Sequence, residues 1–173
     1  MEHLLADVRY ELRRCKDLAD RAMAHLDDGE LFRRPAAHAN PVAVIVKHLA
    51  GNLLSRWTDF LATDGEKPGR DRDGEFVLTA EDTRASLLAA WERGWQALFD
   101  TLDYLGSVDL DRSVTIRGEA HSVRQALLRG LSHASYHTGQ ILYLVRLWRP
   151  DSPWLTVPPG ESRKERGGYL ASR

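Results

Sequence analysis

Apolar residues recur in steps of three and four through most of the chain. Between residues 2 and 27, Leu5, Val8, Leu12, Cys15, Leu18 or Ala19, Ala22 and Leu26 form one stripe, while Arg9, Arg13, Lys16, Asp17 and Asp20 fall largely off it. That period predicts an amphipathic helix, ended by Asp27-Asp28-Gly29 and followed by a loop through Arg33-Arg34-Pro35. A second helix is predicted from Asn40 as N-cap and Pro41 as first helical residue, with Ile45, Leu49, Leu53, Trp57 and Phe60 or Leu61 on its inner face. Charges and breakers fill residues 64–76, which read as a surface loop. Thr79 with Asp82 resembles a capping box for a third helix carrying Leu87 or Leu88, Trp91, Trp95, Leu98 and Leu102, closed by Gly106.

Two short β-like runs flank Arg117-Gly118 within residues 114–123 and predict a small hairpin. A two-stranded ribbon needs a helix layer for support. Ser122 with Gln125 forms a capping box that opens a fourth helix reaching about Trp148, where Pro150 and Pro153 stop it. Four long amphipathic helices predict an all-α four-helix bundle over residues 1–150, with an irregular tail over 151–173. The long link between the second and third helices permits a crossover.

Composition narrows the class. At 43% apolar and 28% charged, the 173-residue chain is expected to be a globular domain and not a disordered one. Twenty-four basic against 25 acidic residues give no global positive field, which argues against a nucleic-acid partner. The only cysteine, Cys15, excludes an internal disulfide framework and reads as a small core residue. No apolar run approaches the roughly 20 residues that span a bilayer, and charge comes too early for a signal peptide. A cytoplasmic protein with no membrane association is expected.

Seven histidines carry the candidate chemistry. His133 and His137 stand at i and i+4 in the fourth helix, which stacks two imidazoles on one face within reach of a single cation. They share that face with Ala126, Gly130 and Leu144, so both are expected to point into the bundle. His48 lies near the inward stripe of the second helix, beside Ile45 and Leu49. A third imidazole on a facing helix completes a three-nitrogen site, and one cation satisfies all three where each alone would need its own hydrogen-bond partners. His3, His25 and His121 fall near element ends and read as solvated, which leaves His38 as the one rival ligand. Ala134 after His133 excludes a His-Glu-x-x-His protease, and Gly130 and Ala134 three residues before the two histidines exclude a di-iron carboxylate pair. Three imidazoles with a fourth position open fit catalytic better than structural zinc, and do not by themselves choose among zinc, nickel, copper and iron.

One histidine within Val46-Lys-His-Leu-Ala-Gly-Asn-Leu53, plus Ser132-His-Ala-Ser-Tyr-His-Thr-Gly-Gln-Ile141 in the last helix, resembles the DinB-like (YfiT-like) superfamily. Residues 52–68 and 70–76 resemble an uncharacterised branch of it. The resemblance covers most of residues 1–150 and implies a four-helix bundle, often a homodimer, with a divalent metal, zinc or nickel foremost, on His48, His133 and His137. Characterised members include S-transferases using bacillithiol, mycothiol or glutathione, and a maleylpyruvate isomerase. A metal-dependent S-transferase taking a low-molecular-weight thiol and a small-molecule electrophile is therefore expected. The alternatives are a metal-dependent hydrolase and a non-catalytic, stress-induced metal-binding dimer, the latter closed by a fourth ligand such as His38 or Glu161.

Other residues add detail. Asn52 and Gln140 lie about one turn beyond ligand positions, where they can orient a ligand or a substrate. Arg56 is expected in a salt bridge to the 64–76 loop, and Trp91 and Trp95 in the core. The end of the fourth helix, Ile141 to Trp148, is apolar on more than one face, which suggests a second burial surface such as a dimer interface.

Overall fold

The computed structural model describes residues 2–161. Four long helices make the frame: α1 (Glu2–Met23), α3 (Val42–Trp57), α4 (Arg84–Tyr104) and α5 (Val123–Trp148). A short α2 (Asp28–Phe32) follows α1, and strands β1 (Ser113–Ile116) and β2 (Glu119–Ser122) precede α5. The expected all-α bundle with a hairpin before its last helix is what forms. The hairpin turns at Arg117 and Gly118, both at positive φ, and pairs Val114 with His121. The Asp64 carboxylate accepts from both turn N–H groups, so the link before α4 holds the ribbon in place.

The predicted inner faces are the core. Leu12, Leu49, Leu53, Trp91, Trp95, Leu98, Leu102, Ala126 and Leu144 are buried, and the Trp91 indole N–H finds Asp20 at 2.7 Å. Burial also raises the pKa of the Cys15 thiol, against weaker hydrogen bonds from Ser135 and Thr138, which keeps it protonated and inert.

Cross-links between helices give the topology. On α1 and α4, Lys16 meets Glu92 and Arg9 meets Asp103, so these two run antiparallel. On α3 and α4, Ala50 abuts Gly94 and the Trp57 carbonyl accepts from Thr101, so these two run parallel. On α3 and α5, His48 meets His133 while Trp57 packs on Gly130, again antiparallel. The order is up, down, down, up. Joining two parallel neighbours obliges residues 58–83 to travel back along α3, which is the crossover the long link allows. Ser55 pins it there, donating to the Gly65 carbonyl and accepting from Lys67 N–H, both at 3.0 Å.

Four expectations are corrected. The N-cap of α3 is Pro41 and not Asn40: Pro41 is extended (ψ 166°) and its carbonyl already accepts from Val44 and Ile45. The third long helix starts at Arg84, capped by a Thr83–Ser86 box, because Asp82 is drawn into a turn by Thr79 and by the Lys47 ammonium. Residues 27–32 are not merely a stop signal, since Asp27 and Glu30 form a capping box that starts α2. Residues 64–76 are not merely a solvated loop. They carry a 3₁₀ turn (Gly74–Phe76) whose Glu75 is buried.

Part of the surplus apolar face of α5 is covered from within the chain. Residues 152–156 fold across Ala22, Leu142 and Val145, with Arg146 stacked on Trp154. Tyr143 and Leu147 remain exposed. Residues 162–173 of the predicted tail lie outside the described residues.

Candidate metal centre

The site begins with register. His48 follows Ile45 by three positions on the buried face of α3, and His133 and His137 are one turn apart on α5, which faces it. His48 Nε2 lies 3.3 Å from His133 Nε2, and the three ring centroids are 4.7–5.3 Å apart. One ligand atom from each of His48, His133 and His137 falls within 4.8 Å of the others. His48 and His137 are buried, and His133 is half-buried.

Hydrogen bonds fix the tautomers. The Glu75 carboxylate sits 2.8 Å from His48 Nδ1. An ionised carboxylate only accepts, so His48 carries its proton on Nδ1 and leaves the Nε2 lone pair toward the other rings. His137 Nδ1 likewise donates to Gln140 Oε1 at 2.8 Å, freeing its Nε2. Both Glu75 oxygens are also held by Arg70, at 2.7 and 2.8 Å, and Arg70 reaches on to Glu66 at 3.0 Å. Burial pushes Glu75 upward, but the His48 and Arg70 contacts outweigh it and hold the carboxyl below its usual range. A Cβ at Gly51 would collide with this carboxylate. The glycine leaves a flat place on α3 where Glu75 can lie beside His48.

The two α5 rings, His133 and His137, are kept neutral, the form that binds a metal. Burial first, then the neighbouring His137, His48, Arg56 and Arg70, push His133 down to about 3. Burial also lowers His137, and the Gln140 bond only partly opposes it.

Two observations show that this donor set suits a divalent ion. His137 Nε2, whose lone pair the Gln140 bond leaves free, is buried without a hydrogen-bond partner among the described residues. Orphaned polar atoms of this kind are costly unless something accepts their lone pairs. The second is spacing. Two bonds of 2.0–2.1 Å at a tetrahedral angle separate their nitrogens by about 3.3 Å, which is the His48–His133 separation. The Glu75–His48 contact is the carboxylate–histidine arrangement that orients metal ligands. Neither His38, which is exposed, nor Glu161 joins the group.

Beside the rings lies a cavity of about 180 Å³. His48, His133, Asn52 and Tyr136 line it, together with Arg56, Arg72, Arg117 and Arg129. Asn52 thus faces the space next to the histidines, whereas Gln140 supports His137. Arg56 does not make the expected salt bridge. The loop supplies its own cation, Arg70, for Glu66 and Glu75, and Arg56 is left buried with no carboxylate partner among the described residues.

A profile built on proteins of unknown function, DUF1572, matches residues 1–161 and so includes every residue of the site. The chain belongs to the DUF1572 family. No curated protein matches it. Within this DUF1572 member, Glu75 and Arg70 are the residues sequence reasoning missed. The signal they leave is faint: a glycine at position 51 in the interior of a helix, where glycine costs about 1 kcal/mol against alanine.

Proposed function

We propose that this protein is a metal-dependent enzyme whose divalent ion is held by His48, His133 and His137, with zinc or nickel the metal that the DinB-like resemblance favours. The observation that carries the reading is the convergence of three imidazoles, two with tautomers fixed by Glu75 and Gln140, at the edge of a polar cavity. A metal there supplies Lewis acidity, which lowers the pKa of a thiol or water in the remaining position. Glu75 orients His48 and strengthens it as a donor, and Gln140 does the same for His137. Asn52 presents an amide to the cavity and positions what enters it.

The DinB-like resemblance supports thiol S-transfer as the reaction. A low-molecular-weight thiol loses its proton to solvent, its sulfur forms a bond to the electrophilic carbon of a second small molecule, and the bond from that carbon to the leaving group breaks, the leaving group departing with the electron pair. The exposed Tyr143 and Leu147 on α5 support a homodimer as the working form.

Incubation of zinc- or nickel-loaded protein with glutathione, cysteine or bacillithiol and a haloarene, read by mass spectrometry, tests the reaction. A thioether product formed faster than with His137→Ala is the expected result. Absence of product with every thiol rejects S-transfer. Turnover of an aryl ester under the same conditions then assigns a hydrolase, and inertness toward both assigns a non-catalytic metal protein.

A further inference from the structure

Four guanidinium groups reach the cavity beside the histidines, and they come from four separate parts of the chain. Arg56 stands two turns beyond His48 on α3, and Arg129 one turn before His133 on α5. Because these helices run antiparallel, the two arginines meet at the same end of the site. Arg117 arrives from the hairpin turn that Asp64 holds, and Arg72 from the link that carries Glu75. Among the described residues, no aspartate or glutamate lines the cavity.

The positive charge is unbalanced inside the cavity. Arg117 reaches Glu66 at 3.3 Å and Arg72 reaches Asp73 at 3.8 Å, but half of each of these side chains is in solvent. Among the described residues, Arg129 makes its polar contact with His121 Nε2, at 3.1 Å. Arg56 is the decisive member. It is only 6% exposed, and among the described residues its Nε has no partner and no carboxylate lies within ion-pair distance of it. Burial, then Arg129 and Arg70, pull its pKa down to about 10 against a weaker opposing pull from Glu66 beyond ion-pair distance, so it is still a cation at neutral pH. A buried, unpaired guanidinium is expensive to maintain, and an anion that enters removes that cost.

From this geometry we infer that the cavity is an anion subsite: it takes the carboxylate or phosphate group of a small substrate, gripped by Arg56 and Arg129, with the substrate's other end toward His48 and His133. Guanidinium forks match both anions, through paired N–H donors. At about 180 Å³ the space is below the roughly 300–1,000 Å³ of drug-sized ligand sites, so it fits a small acid or the acidic end of a longer molecule. The placement of the substrate's reacting end rests on the proposed metal function. The anion grip does not.

Isothermal titration of the zinc-loaded protein with succinate, with inorganic phosphate and with the uncharged succinamide tests the subsite. One anion per chain is expected to bind, with succinamide silent. The better of succinate and phosphate assigns the substrate's acidic group. Arg129→Gln, at an exposed position, should weaken binding by at least about tenfold, the effect of losing one charge-assisted contact. Arg56→Gln should do the same, with its fold checked by circular dichroism. No binding of either anion, equal binding by wild type and Arg129→Gln, or equal binding of succinamide overturns the subsite.

Repeating the titrations after chelation separates the two readings. Anion binding that survives metal removal and still falls in Arg129→Gln upholds the subsite even if the metal function fails. One zinc per chain with no anion binding overturns the subsite and leaves the metal function standing.

Discussion

Glu75 and His48, 27 residues apart in sequence, share a 2.8 Å hydrogen bond at the bottom of the site. The contact sets which nitrogen of His48 faces the other two rings. Arg70 clamps both oxygens of the same carboxylate, so its orientation does not depend on a flexible side chain alone. Glu75→Ala should therefore weaken zinc binding by about 10–100-fold, measured by competition with a chromophoric chelator. Unchanged affinity would mean that Glu75 serves only the fold.

Gln140 plays the same part for His137 from the exposed side of α5. It makes one neutral hydrogen bond, so Gln140→Leu should cost less, about 0.5–1.5 kcal/mol of metal binding or up to roughly tenfold. The melting temperature of the metal-free variant should stay within about 2 °C of wild type, because a surface substitution of this kind rarely changes stability by more than about 0.5 kcal/mol.

Acid should weaken the metal-free fold. His133 has its pKa pushed down from 6.5 to about 3, and His137 is lowered in the same direction. The folded chain then binds fewer protons than the unfolded one across that interval. The stability at stake is fully present above pH 6.5 and is lost as pH falls toward 3. Thermal melts of metal-free protein at pH 7, 6, 5 and 4 should show a falling melting temperature, with a shallower slope in His133→Gln. Equal slopes for the two proteins would contradict this.

Gly94 separates fold from site. A Cβ there would lie 2.8 Å from the Ala50 carbonyl oxygen, and α3 backbone cannot yield as a side-chain tip can. Gly94→Ala should destabilise by about 1–3 kcal/mol through overpacking. For a chain of this size that lowers the melting temperature by about 2–4 °C per kcal/mol. Since Gly94 lies on the α4 side of α3, metal stoichiometry should not change.

The sequence carries some of this architecture openly and hides the rest, for identifiable reasons. The stripes through Leu12, Leu49, Trp95 and Leu144 are long and periodic, and all four residues are buried. Ser122 and Gln125 announce the start of α5 because their capping contacts are local. The spacing of His133 and His137 is also a local signal, and His48 could be added because its helix face was readable. Glu75 and Arg70 were not readable. In a stretch as charged as residues 64–76, burial is decided by where the link must run, and that follows from α3 and α4 being parallel neighbours. The boundary errors at Asn40 and Thr79 have different causes: Thr83 offers a second capping box beside Thr79, whereas α3 starts at Pro41 with no side-chain cap bond to mark the place.

The most direct test is the metal content of protein made without a histidine tag, alongside His133→Ala/His137→Ala, by inductively coupled plasma mass spectrometry after zinc or nickel reconstitution. The three-histidine site predicts about one tightly held divalent ion per wild-type chain and none in the double variant. A wild-type chain that retains no metal after purification and after reconstitution, or a double variant that retains as much, would contradict it.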